Sequence, residues 1–83
     1  MFNIEDIVEI IEEVIETQVN DYSINPFNHG LDSLGVLKLV TILEDRLSIE
    51  IDDNDLTVEN MSSVNSIIKM VKKYENKWTS KWD

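Results

Sequence analysis

The sequence predicts an all-α fold, a four-helix bundle of three main helices plus one short helix with a long first loop. Three observations predict it. Apolar residues recur at helical spacing over residues 3–18, 33–47 and 63–77. A helix-start residue stands at the head of each stretch: Asn3, then Asp32-Ser33, then Ser62-Ser63. Eighty-three residues suffice for one domain with one modest core. The expectation is a single domain over 1–83, with its core at about 3–77 and a tail at 78–83.

The first helix follows from its two faces. Glu5, Glu9, Glu12 and Glu16 form one stripe, and Ile4, Ile7, Val8, Ile11, Val14 and Ile15 lie opposite. Asn3 caps the helix, and Glu5 and Asp6 suit its dipole. Its β-branched residues lower helix propensity, so packing must hold it. A glutamate row at this spacing reads as a solvated face.

Residues 19–31 form a connection rich in turn formers: Asn20, Asp21, Ser23, Asn25-Pro26, Asn28 and Gly30. It is long for a helix–helix link, and such loops often serve function. Ile24 and Phe27 are expected to tuck beneath it.

This loop delivers the chain to Asp32 and Ser33, which open the second helix. A serine hydroxyl is thereby held at a helix N-terminus with a carboxylate beside it. That end carries partial positive charge and free N–H groups, and suits a phosphate. Val36, Leu39, Val40, Leu43 and Leu47 share the core arc, while Leu34 and Leu37 project on the side of Ser33. Two readings stand for these leucines: ordinary surface apolarity, or a docking patch for proteins that reach the serine. Gly35 is a poorer helix former than alanine, with a smaller penalty near a terminus.

Residues 48–62 carry Asp52, Asp53, Asn54 and Asp55 in a row. An EF-hand needs glycine at its sixth position and glutamate at its twelfth. Thr57 or Val58 and Ser63 or Val64 stand there instead, so a short capped helix at about 53–60 is expected, pinned by Ile49 and Ile51. The last helix repeats Val64, Ile67, Ile68, Val71 and Tyr74, with lysines toward its C-terminal end. Trp78 is expected to pack on the bundle; for Trp82 two readings stand, a frayed end, which is favoured, or a contact for a partner.

Net charge is −10, unevenly spread. Residues 1–60 hold 15 acids against Lys38 and Arg46, whereas residues 61–83 hold five lysines against Glu75 and Asp83. Such a body repels nucleic acid and anionic membrane surfaces and suits basic protein patches. There is no cysteine, hence no disulfide, thiolate nucleophile or Cys-based metal site. No apolar run approaches the roughly 20 residues of a membrane span. Residues 1–6 lack the basic start of a signal peptide, so the cytoplasm is the expected compartment.

Catalysis by Ser33 needs a base within reach and an orienting acid. The one histidine, His29, lies four residues upstream in a loop, and the Gly-x-Ser-x-Gly elbow is absent. One histidine without cysteine offers no spaced metal-ligand pair, and two glycines make no dinucleotide or P-loop fingerprint. No catalytic and no metal-binding residues are expected.

Gly30-Leu31-Asp32-Ser33-Leu34 resembles the attachment motif of the acyl carrier and peptidyl carrier protein family, free-standing type. The order of elements agrees: acidic first helix, long loop, Asp-Ser-Leu turn, apolar second helix, the Ile49-Glu50-Ile51 segment, a short third helix and a fourth. The resemblance covers nearly the whole chain. It implies that Ser33 receives a 4′-phosphopantetheine group from coenzyme A, transferred by a separate Mg²⁺-dependent phosphopantetheinyl transferase. The thiol that the chain lacks then arrives with the cofactor and holds acyl or aminoacyl groups as thioesters. Asp32 is implied to support attachment, and Leu34, Leu37, Glu44 and Asp45 to meet partners. Those partners are the transferase, a loading adenylating ligase or acyltransferase, and a downstream synthase or transferase. The chain itself is implied to be a non-catalytic monomer that raises the effective concentration of its cargo.

Departures narrow the expectation. Fatty-acid carriers usually have acids where Gly35 and Lys38 stand, and often Met where Thr41 stands. Residues 55–64 are similar to carriers that work with adenylating ligases and to peptidyl carriers. A specialised pathway, polyketide, nonribosomal peptide or D-alanyl-type, is therefore favoured over bulk fatty-acid synthesis. An unmodified acidic adaptor binding a basic protein is the alternative of another class.

Overall fold

The computed structural model describes the backbone of residues 2–82 and the side chains of residues 2–75. The described residues are all-α, with three α-helices among them: α1 Ile4–Ile15, α2 Ser33–Leu47 and α3 Val64–Trp82. Two 3-10 helices, Pro26–His29 and Asp53–Asp55, lie in the connections. Among the described residues there is no strand, and no helix is long and apolar enough to cross a membrane.

α1 begins where expected. Asn3 caps it by accepting the Glu5 N–H at 3.1 Å. It ends at Ile15, three residues earlier than the periodicity suggests, because Glu16 turns left-handed at φ 55° and closes the helix onto the Glu12 carbonyl. The Glu12 side chain is not simply solvated. It is half-buried, and its Oε2 accepts the Val19 N–H at 2.7 Å, steering the chain into the loop.

The core gathers Ile7, Ile11 and Ile15 of α1, Leu39 and Leu43 of α2, and Val64, Ile67, Ile68, Val71 and Tyr74 of α3. Ile10 and Met70 join it from the flanks of their helical arcs. Ile4, at the open end of α1, is exposed. Ile49 and Ile51 are buried, as expected of pins.

The loops depart from expectation in three places. Asn25 accepts the Phe27 N–H at 2.9 Å, and the resulting 3-10 turn buries Pro26 and leaves Phe27 40% exposed, so only Ile24 tucks inward. The short helix at 53–60 is instead a 3-10 turn at Asp53–Asp55, capped by Asp52, followed by a hydrogen-bonded turn in which Met61 N–H reaches the Thr57 and Val58 carbonyls. Aspartates compete for backbone N–H groups, and Thr57 and Val58 are β-branched, so a regular helix is disfavoured there. α3 runs to Trp82 rather than ending near 77. The packing expected of Trp78 and the setting of the Trp82 side chain lie outside the described residues.

Loop 19–31 is tied to the head of α3. Val64 and Asn65 donate their N–H groups to the Ile24 and Tyr22 carbonyls at 3.1 and 2.9 Å, and Ser63 Oγ accepts the Ser66 N–H at 3.0 Å. The orphan donors of a helix start are thus paired. At the other end, Phe2 N–H donates to the Glu75 carboxylate and Lys72 donates to the Phe2 carbonyl at 3.0 Å. The Phe2 N–H bond holds the Glu75 carboxyl below its usual range.

Candidate functional site

The site is built by a loop that turns sharply into α2. Gly30 adopts φ 104°, a conformation open to glycine at little cost, and Leu31 then buries into the core. The Leu31 N–H returns to the Pro26 carbonyl at 3.1 Å, fixing the turn. Asp32 follows in extended conformation as the N-cap, and its Oδ1 accepts the Gly35 N–H at 2.8 Å. Its carbonyl accepts the Val36 N–H at 2.9 Å.

Ser33 is therefore the first residue of α2 and is exposed. Among the described residues its hydroxyl has no hydrogen-bond partner. Beside it Leu34 and Leu37 are 75% and 63% exposed, large values for leucines. Lys38 is exposed on the same helix. His29 ends the 3-10 turn and is also exposed.

The two acids expected to meet partners differ. Asp45 is exposed. Glu44 is half-buried, and its Oε2 accepts the Ile51 N–H at 2.9 Å, bracing the segment after α2. Both lie about 17 Å or more down the helix from Ser33, at 1.5 Å per residue. Leu34 and Leu37 adjoin the serine, whereas the two acids lie toward the far end of α2.

A family model described as "Phosphopantetheine attachment site" matches residues 5–71. The chain belongs to this phosphopantetheine-attachment family. It is also similar to an acyl carrier protein of Buchnera aphidicola subsp. Baizongia pistaciae (strain Bp), with 36% identity over 61 residues, covering 74% of this chain and 76% of that protein. No solved structure matches. The expected membership of the acyl and peptidyl carrier group and the all-α carrier fold therefore hold. The protein is a carrier, and its cofactor is covalently attached 4′-phosphopantetheine. Carriers of this family meet phosphopantetheinyl transferases and synthase enzymes.

The residues present fit that cofactor. An unengaged hydroxyl at an exposed helix start can be esterified without disturbing the core, and a phosphate there meets the favourable end of the helix dipole. When attached, the group supplies a thiol to a chain that has none.

Sequence reasoning read Gly35 as a propensity penalty and a departure from fatty-acid carriers, without its contacts. Gly35 faces inward: a Cβ built there would lie 2.9 Å from Leu31 Cδ1, 3.2 Å from Asp32 Oδ1 and 3.6 Å from Val14 Cγ1. The available signal was a glycine in a helical position where propensity alone favours alanine.

Proposed function

We propose that the chain is a non-catalytic carrier domain, monomeric and cytoplasmic, modified on Ser33 and loaded with acyl or aminoacyl groups as thioesters. The observation that carries the reading is the Ser33 hydroxyl, exposed and unengaged at the head of α2 inside the matched residues 5–71. In the proposed reaction Ser33 Oγ bonds to the pantetheine-side phosphorus of coenzyme A. The pyrophosphate bond breaks, 3′,5′-ADP leaves with the electron pair, and the hydroxyl proton is released. Asp32 supports the step by fixing the first turn of α2.

The proposed partner surface is Leu34 and Leu37 beside the serine, with Asp45 and the outer edge of Glu44 further along α2. A specialised pathway with a loading adenylating ligase is favoured over fatty-acid synthesis. Gly35 and Lys38 support this: the exposed start of α2 carries a cation and no acid after Asp32, despite the acidic body. Such a face suits apolar recognition better than a strongly basic partner.

Incubation with coenzyme A and a broad-specificity transferase tests the assignment. One phosphopantetheine mass increment is expected, absent in Ser33→Ala. An unmodified wild-type mass would favour the acidic adaptor. The mass of the thioester trapped from cells tests the pathway, and a long fatty acyl group would point to fatty-acid synthesis.

A further inference from the structure

We infer that Lys38 selects partner proteins that place a carboxylate opposite it, and that with Asp45 it sets the direction in which they dock along α2; this rests on the proposed role of Ser33. Residues 1–60 carry 15 acids against two cations, Lys38 and Arg46. Arg46 is engaged within the fold: its guanidinium donates to both Glu13 carboxylate oxygens at 3.1 Å, tying α2 to α1. Lys38 is exposed, and among the described residues its ammonium enters no hydrogen bond or ion pair. The acidic body offers many carboxylates, yet none stands at the helical positions beside this lysine. Leu34, Gly35, Thr41 and Ile42 occupy the places three and four residues away, where a helix pairs its charges.

Leu34, Lys38, Thr41 and Asp45 are all exposed and recur at i, i+4, i+7 and i+11, so they form one line down α2. Leu37, also mostly exposed, flanks the line. Lys38 and Asp45 lie two turns apart on the same side of the helix, about 10 Å along its axis. Glu44, the other acid at that end, is turned to the Ile51 N–H. From Ser33 outward the line therefore reads apolar, cation, neutral, anion. A matching docking face needs an apolar pocket for Leu34 and Leu37, a carboxylate beside it, and a cation about 10 Å further on. A face that is basic throughout suits Asp45 but brings a like charge to Lys38, which counts against it. The order of signs also has a direction. A matching face laid down in reverse meets like charges at both ends, so the pair fixes orientation as well as choice of partner.

A photoreactive amino acid in place of Thr41, between Lys38 and Asp45, serves as the probe. Thr41 is exposed and its hydroxyl donates to the Leu37 carbonyl of its own helix at 2.8 Å, so the exchange spares the fold. The full-length chain carrying the probe is expressed in the cells it comes from and irradiated, and the cross-linked segment of the partner is mapped by mass spectrometry. That segment is expected to hold an Asp or Glu on the Ser33 side of the link and a Lys or Arg on the other. Lys38→Glu should then weaken binding to that partner roughly tenfold, with Lys38→Gln in between. Reversing the partner's carboxylate to a lysine should restore binding of Lys38→Glu to within about threefold of wild type. Lys69→Glu makes the same change in net charge at an exposed site on α3, and should leave binding within about twofold. A linked segment without an acid, wild-type binding in Lys38→Glu, equal losses in Lys38→Glu and Lys69→Glu, or no rescue by the reversed partner would overturn the inference. So would the absence of any link, which would leave Lys38 an ordinary solvated charge. The mass of the chain from the same cells reads the Ser33 assignment separately. A chain without phosphopantetheine sinks that assignment, whereas a modified chain linked to a basic or neutral segment sinks the role of Lys38 alone.

Discussion

The Tyr74 hydroxyl of α3 donates to the Asp55 carboxylate at 2.5 Å, joining residues 19 apart in sequence. It also accepts the Asp52 N–H at 2.8 Å, so one phenol holds both ends of the 3-10 turn that follows α2. Asp55 is further paired with Lys73 at 3.4 Å, and its carbonyl accepts from Asn60 Nδ2 at 2.7 Å. Tyr74→Phe keeps the buried ring and removes both bonds. The expected cost is about 1–3 kcal/mol, since one partner is charged. Urea denaturation should show a lower midpoint with little change in slope. An unchanged midpoint would mean that the phenol contributes nothing net.

The same phenol predicts an alkaline limit. Burial, and then the bond to the Asp55 carboxylate, push Tyr74 up to about 12. Its value in the unfolded chain is about 10. The folded state therefore holds the proton more tightly. The stability gained is complete below pH ~10, and is lost as pH rises through the folded value. Melting curves between pH 9 and roughly 12 should show wild type losing its advantage over Tyr74→Phe. A constant difference across that window would contradict the assignment.

Leu34 and Leu37 offer a test of docking against ordinary surface apolarity. Both are mostly exposed, so truncation to alanine should change stability by no more than about 0.5 kcal/mol. Leu39→Ala, at a fully buried position of the same helix, should cost about 2–5 kcal/mol. If the exposed pair meets partners, Leu34→Ala and Leu37→Ala lower the rate of modification while leaving the melt in place. Wild-type rates in both would assign these leucines to plain surface.

What the sequence made legible was periodic. Helical spacing located all three α-helices, and the Asp32-Ser33 pair located the head of α2 to the residue. Features decided by tertiary contact were not legible. Ile10 sits at the edge of its arc, yet is fully buried. Asn25-Pro26 announced a turn, but not that Pro26 rather than Phe27 would face inward. Glu12 and Glu44 read as surface charge, yet each accepts a backbone N–H seven residues on. Gly35 read as a small propensity penalty because its constraint comes from Leu31 and Val14 in space.

Salt should raise the melting temperature. Fifteen acids crowd residues 1–60, and Glu5–Glu9 and Glu9–Glu13 stand at i,i+4 along α1, where each like-charge pair costs about 0.2–0.5 kcal/mol. The opposing ion pairs include Arg46–Glu13 at 3.1 Å, Lys72–Glu75 at 3.4 Å and Lys73–Asp55 at 3.4 Å. Arg46 and Glu13 are half exposed, and such a pair contributes about 0–1 kcal/mol. Salt weakens both sets, but residues 1–60 carry fifteen acids against two cations, so net repulsion dominates there and screening should favour the folded state. The melt should therefore rise between about 0.05 and 0.5 M sodium chloride, over which the screening length shrinks severalfold. Glu9→Gln removes the charge shared by both repulsive pairs, and should both raise the low-salt melt and flatten its salt dependence. A melt that falls with salt, or a variant with the wild-type slope, would show that self-repulsion along α1 does not limit stability.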